Sequence, residues 1–179
     1  MPTTQPTLAA KPREDVNQPK KICFVCTGNT CRSPMAEAVA NAWAQKELET
    51  LPPSCRALAL PSLEAFSAGI CANEGAPIAA HAVSALEAAG IPALSNHDYR
   101  PHTAHTLTEQ DAAEYDLLIG LTREHTMALL FRFPHLASRI TVFPSDIPDP
   151  YGGSAEDYRI CLKHITQGIS DMLFTGESK

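Results

Sequence analysis

The chain has 179 residues, 44% of them hydrophobic, with 20 Asp and Glu against 14 Lys and Arg and a net charge of −6. That is enough chain for one domain with its own core, and the acidic balance argues against a general nucleic-acid binder. No continuous apolar run marks a signal peptide or a membrane span, so the composition points to a soluble, cytoplasmic protein with no membrane partner.

Residues 1–20 are polar, carry four prolines and lack any periodicity, which reads as a disordered tail ahead of a domain at 21–176. Lys21 to Val25 is short, apolar and rich in branched and aromatic side chains, the pattern of a buried strand. Cys26-Thr27-Gly28-Asn29-Thr30-Cys31-Arg32-Ser33 follows, and Pro34 then opens a run of helix formers as a first helical residue. Pro52, Pro53 and Pro61 make Leu51 to Leu63 a connecting loop. Glu64 to Ser67 is the second strand, and Pro77 to Ala89 a helix stopped by Gly90. Thr108 starts a short helix that ends near Tyr115, and Asp116 to Gly120 is a buried strand. A helix over Thr122 to Phe133, a strand over Arg139 to Phe143 and an amphipathic helix over Ser154 to Phe174 complete the chain. Strands separated by helices imply an α/β fold with parallel pairing, whose sites lie at the C-terminal ends of the strands.

The first strand-to-helix turn carries the chemistry. Backbone N–H groups converge in such a turn, and a helix N-terminus is itself an anion site. A thiol placed there, Cys26, sits where negative charge on sulfur is stabilised, and the Ser33 hydroxyl is in position to donate to it. Five residues separate Cys26 from Arg32, about the minimum for a loop to curl around a tetrahedral phosphate. The Arg32 guanidinium then grips two oxygens with a planar fork that Lys lacks. Gly28 is expected to supply a conformation closed to other residues, and Asn29 to tie backbone groups or adopt a left-handed turn. Thr27, Thr30 and Cys31 complete the ring of phosphate-binding residues. A nucleophile within an anion cradle points to attack on phosphorus.

Asp149 lies between Pro148 and Pro150 after the last strand, held extended so that its carboxyl can protonate a leaving group. Asp146 is its local rival, and Tyr151 beside it is a wall for the mouth of the site. Cys31 has two readings: filler in the loop, or a partner that traps Cys26 as a reversible disulfide. Cys23 and Cys26 have the spacing of a zinc knuckle, but no second ligand pair follows and Cys23 falls within the strand, so no metal is expected. His97, His102 and His105 lack a companion carboxylate set and read as surface or hydrogen-bonding histidines. No cofactor motif is present, and nothing in the chain fixes an oligomeric state.

From Phe24 to Glu37, and again at Asp149-Pro150-Tyr151, the sequence resembles the low-molecular-weight protein tyrosine phosphatases, with similarity over about residues 21–175. The resemblance implies one three-layer domain, a four-stranded parallel sheet with helices on both faces and a phosphate-binding loop after strand 1. It implies Cys26 as nucleophile, Arg32 as phosphate ligand, Asp149 as general acid, and Ser67 and His97 as braces of the loop. The substrate would be a phosphorylated protein, dephosphorylated through a phosphocysteine. Tyrosine-specific members carry an aliphatic residue at the position of Thr30. The protein arginine phosphatase branch carries Thr there, and the Asp149 to Gly153 run also looks like that branch, so phosphotyrosine and phosphoarginine both stand. The alternative is a thiol redox enzyme of the arsenate-reductase type on the same fold. It would need a close cysteine pair on a mobile segment, and none follows between Gly75 and His105.

Overall fold

The computed structural model describes residues 18–56 and 61–174. Strand β1, Lys20–Cys26, leads through the cysteine loop into helix α1, Arg32–Thr50. A single turn, α2 (Pro53–Arg56), interrupts the proline-rich connection before β2, Leu63–Gly69. Helices α3 (Ala80–Ala88) and α4 (Glu109–Glu114) precede β3, Leu117–Gly120. Helix α5 (Arg123–Arg132) and a 3₁₀ segment (Pro134–Arg139) lead to β4, Ile140–Val142, and α6 (Ala155–Phe174) follows.

All four strands are parallel, in the order β2-β1-β3-β4. The strand that ends in Cys26 therefore lies inside the sheet, with Cys26 opposite Gly69 and Val25 opposite Gly120. Buried on both faces from Ile22 onward, β1 is apolar without interruption from Ile22 to Cys26. Ile22 and Phe24 face a core shared with Met35, Val39, Leu86, Phe143, Leu162 and Ile165, while Cys23 and Val25 face one built from Leu107, Leu118, Leu129 and Phe133. Burial drives the Cys23 thiol well above its ordinary pKa. The two cores make a three-layer domain, with α1, α3 and α6 on one face and α4 and α5 on the other. No helix among the described residues is long and apolar enough to cross a membrane.

Several element boundaries differ from the sequence expectation by one to three residues. Strand β1 begins at Lys20, inside the segment read as tail; residues 1–17 of that segment lie outside the described residues. Helix α1 begins at Arg32 rather than Pro34, which the first turn accepts because a proline there forgoes only an N–H with no helical partner. Helix α3 begins at Ala80 rather than Pro77. Pro77 bridges Thr103, and the Ile78 and Ala79 N–H groups donate to His102 O and Thr30 O, so the chain enters as extended backbone.

Candidate active site

The loop between β1 and α1 is organised by Asn29, fully buried and left-handed at φ 55°. Its backbone N–H donates to Cys26 Sγ at 3.4 Å, and its side-chain Nδ2 donates to Ser33 Oγ and Ser67 Oγ, both at 3.0 Å. Its Oδ1 accepts from the His105 backbone N–H at 3.0 Å, and its carbonyl accepts from His102 Nε2 at 2.9 Å. The left-handed residue is thus Asn29 and not Gly28. A Cβ on Gly28 would meet no heavy atom nearer than Thr30 Oγ1 at 3.9 Å, so the fold alone does not demand glycine there. An amide side chain carries donors and an acceptor together, and Asn tolerates the left-handed region, which is why it suits the centre of this loop.

Cys26 Sγ lies 3.0 Å from Ser33 Oγ at the inner end of a cavity of about 330 Å³. Thr27, Gly28, Asn29, Thr30, Cys31 and Arg32 line the cavity with it, and Asp149 and Tyr151 stand in its wall. No side chain caps the N-terminus of α1, which leaves the N–H groups of its first turn open to an anion. Arg32 is 6% exposed; Nη2 donates to Asp149 Oδ2 at 2.9 Å and Nη1 to Ile147 O at 3.3 Å. Its Nε is buried with no protein acceptor among the described residues, a donor free for an oxyanion. Asp149 Oδ1 accepts the Tyr151 N–H at 3.2 Å, and Tyr151 itself is 78% exposed at the mouth. Asp146 is placed elsewhere, accepting the first N–H of α5, from Arg123.

Outside the loop, Ser67 accepts from Asn29 and donates to Glu37 Oε2 at 2.6 Å. His97 does not reach the loop. Its Nε2 lies 3.4 Å from Glu64 Oε1 and its ring packs edge-on to Phe66, whereas His102 makes the loop contact. Among three histidines close in sequence, the local turns decide which ring faces the loop: the His97 N–H bonds back to Leu94 O and the His102 N–H to Tyr99 O. Cys31 Sγ is 3.2 Å from Tyr158 OH and 3.5 Å from Thr30 Oγ1, and it is buried as a free thiol. Three residues that hold the loop lack a sequence signal of their own: Glu37, His102 and His125. His125 Nε2 meets Thr27 Oγ1 at 3.0 Å from the start of α5, across the sheet edge. The one available cue is its place three residues after Thr122, a helix start beside the end of β3.

Burial raises the Glu37 carboxyl to about 7, and the Ser67 hydrogen bond only partly offsets it. A carboxyl raised on folding favours the fold below its unfolded pKa, and that advantage is lost as pH rises through 7. Glu37→Gln is therefore expected to gain stability over wild type between pH 5 and 8, by roughly 1–3 kcal/mol. Thermal midpoints of both proteins at the two pH values check it, and a constant difference contradicts it.

A family model described as Low molecular weight phosphotyrosine protein phosphatase matches residues 21–178. A protein-arginine-phosphatase from Bacillus subtilis (strain 168) is 33% identical over 145 residues, which span 77% of this chain and 84% of the relative. The crystal structure of a low molecular weight protein tyrosine phosphatase from T. tengcongensis superposes with a TM-score of 0.73 at 32% identity, covering 87% of this chain and 99% of its own. YwlE arginine phosphatase, in a Cys-to-Ser variant with a phosphorylated active-site serine, superposes with a TM-score of 0.71 at 27% identity over 87% of this chain and 94% of its own.

Proposed function

The chain belongs to the low molecular weight phosphotyrosine protein phosphatase family, and from that premise we propose that it hydrolyses phosphoarginine on proteins through a phosphocysteine formed on Cys26. At the level the family supports, it is a cysteine-based protein phosphatase acting on phosphorylated proteins. The observation that supports the covalent mechanism is the conjunction around one cavity of Cys26, of Arg32 with its Nε buried and unpartnered, and of the Asp149 carboxyl.

Phosphoryl transfer needs positioning and charge neutralisation more than covalent chemistry from the protein. The loop amides, the α1 N-terminus and Arg32 Nε hold the three equatorial oxygens while Cys26 Sγ approaches in line with the leaving atom. As the S–P bond forms and the P–N bond breaks, Asp149, protonated from solvent once substrate has displaced it from Arg32, gives that proton to the departing guanidine nitrogen. Arg32 Nη2 and Asp149 are paired in the present state, so substrate binding exchanges that contact for phosphate oxygens. Water then attacks the phosphocysteine, Asp149 takes its proton, and S–P cleavage returns the Cys26 thiolate and inorganic phosphate. The phosphorylated active-site serine in the superposed YwlE variant supports a covalent intermediate at this position.

Thr30 on the cavity wall supports phosphoarginine over phosphotyrosine, because a hydroxyl engages a guanidinium or its water and an aliphatic side chain packs an aromatic ring. The 33% identical arginine phosphatase supports it as well. On matched peptides, wild type is expected to cleave phosphoarginine at least as efficiently as phosphotyrosine. Thr30→Ile is expected to move the ratio of kcat/KM values towards phosphotyrosine by roughly 10–200-fold. A wild type inactive on phosphoarginine, with the ratio unmoved by Thr30→Ile, makes the substrate phosphotyrosine.

A further inference from the structure

We propose that His125 is a positioning residue that turns the Thr27 hydroxyl hydrogen into the catalytic cavity, making Thr27 a donor to the phosphoryl group held at Cys26. This rests on the phosphatase reading above and adds to it a residue from the opposite edge of the site.

Thr122 caps α5, its Oγ1 accepting the His125 backbone N–H at 3.2 Å, and the same oxygen lies 2.9 Å from His125 Nδ1. The other ring nitrogen, Nε2, lies 3.0 Å from Thr27 Oγ1. A neutral imidazole has one N–H and one acceptor nitrogen. If Nδ1 carries the hydrogen, it donates to Thr122, Thr27 must donate to Nε2, and the Thr122 hydroxyl hydrogen is left over. If Nε2 carries it, the Thr122 O–H donates to Nδ1, Nε2–H donates to Thr27 Oγ1, and the Thr27 hydrogen is left over. Thr27 lines the cavity and Thr122 does not. An anion bound in the cavity therefore selects the second arrangement, in which the spare hydrogen points at negative charge.

The ring is held neutral for this role. Burial lowers its pKa to about 4, with Arg32 adding to the fall, while Asp149 and Asp146 face it and partly counteract. The imidazole can thus change tautomer without carrying charge towards the Arg32 guanidinium. Thr27 follows the nucleophile directly, so its hydroxyl adds a side-chain donor to an oxyanion site otherwise built from amides and Arg32.

The test is a double-mutant cycle read with 4-nitrophenyl phosphate turnover and, separately, with inorganic phosphate binding by calorimetry. Thr27→Val keeps the side-chain shape and is expected to lower kcat/KM by roughly 10–100-fold, with phosphate affinity falling as well. His125→Leu is expected to give a smaller loss, because Thr27 keeps its hydroxyl and loses only the ring that orients it, and the double variant to be no worse than Thr27→Val alone, because His125 acts only through Thr27. His125→Gln, whose amide reaches the Nε2 position, is expected to recover part of the activity. Multiplying losses in the double variant, or a Thr27→Val enzyme within twofold of wild type, overturns the proposal. Should His125→Leu fail to fold, the Thr27→Val and His125→Gln comparison decides alone. A wild type that turns over no phosphate compound defeats the phosphatase reading, and phosphate binding by wild type and Thr27→Val still decides this one.

Discussion

Cys26→Ser is expected to abolish turnover, by on the order of 10⁴–10⁶-fold, while the protein folds and still binds phosphate. The loss is chemical: a serine hydroxyl in the same place can still meet Ser33, but it does not ionise as a thiol does and attacks phosphorus poorly. The smaller oxygen introduces no clash, and the Asn29 side-chain contacts that shape the loop do not involve Cys26 and remain. Arg32→Lys belongs to the same experiment. It keeps the positive charge but removes Nε and the fork that spans Asp149 and Ile147 O. A loss of about 10²–10³-fold is expected, the scale of one missing oxyanion donor. Steady-state rates and phosphate binding measured on both variants check the pair. Full turnover by Cys26→Ser assigns the nucleophile elsewhere, and normal phosphate affinity in Arg32→Lys removes the guanidinium from the cradle.

Asp149→Ala is expected to slow hydrolysis by roughly 10²–10⁴-fold, most for poor leaving groups, which depend on protonation. The ion pair with Arg32 adds a second, opposite effect. With the carboxylate gone, Nη2 is released and a like charge no longer faces the incoming phosphate. Vanadate and inorganic phosphate should then bind as tightly as to wild type or tighter. A variant that loses rate and anion affinity together, with equal losses for good and poor leaving groups, would identify Asp149 as a structural clamp on the loop.

What the sequence revealed follows the reach of its interactions. The β1-loop-α1 unit is contiguous, so the apolar run, the Cys-to-Arg spacing and the Pro34 helix start announce it together. Asp149 is 117 positions from Arg32 and was legible only because prolines flank it and a family pattern matches it. Glu37, His102 and His125 were not legible as loop supports, because each approaches from a separate element and the sequence does not state which rings converge. The expectation for His97 failed for the same reason: His97 and His102 are chemically equivalent, and the Leu94–His97 bridge holds one away while the turn closed by the His102 N–H on Tyr99 O presents the other. The expectations placed the left-handed turn at Asn29 and a special conformation at Gly28 as well, and only the first holds. Both residues tolerate positive φ, and the buried partners waiting for an amide decide which one adopts it.

The strand that bears the nucleophile is early in the chain and interior in the sheet, and that ordering bears on biosynthesis. On a ribosome, Lys20–Cys26 emerges well before either strand that flanks it, β2 from Leu63 or β3 from Leu117. Ile147 and Asp149, which hold Arg32, are translated later still. Until then the Cys26 thiol is on an unpaired segment with no Asn29 hub and no cavity. Parallel pairing over such separations closes slowly, since the loop entropy must be overcome before the contacts form. Nascent chains therefore carry Cys26 without its cavity, and competence to attack phosphorus arrives only after β4, the Ile147–Asp149 segment and α6 have been made.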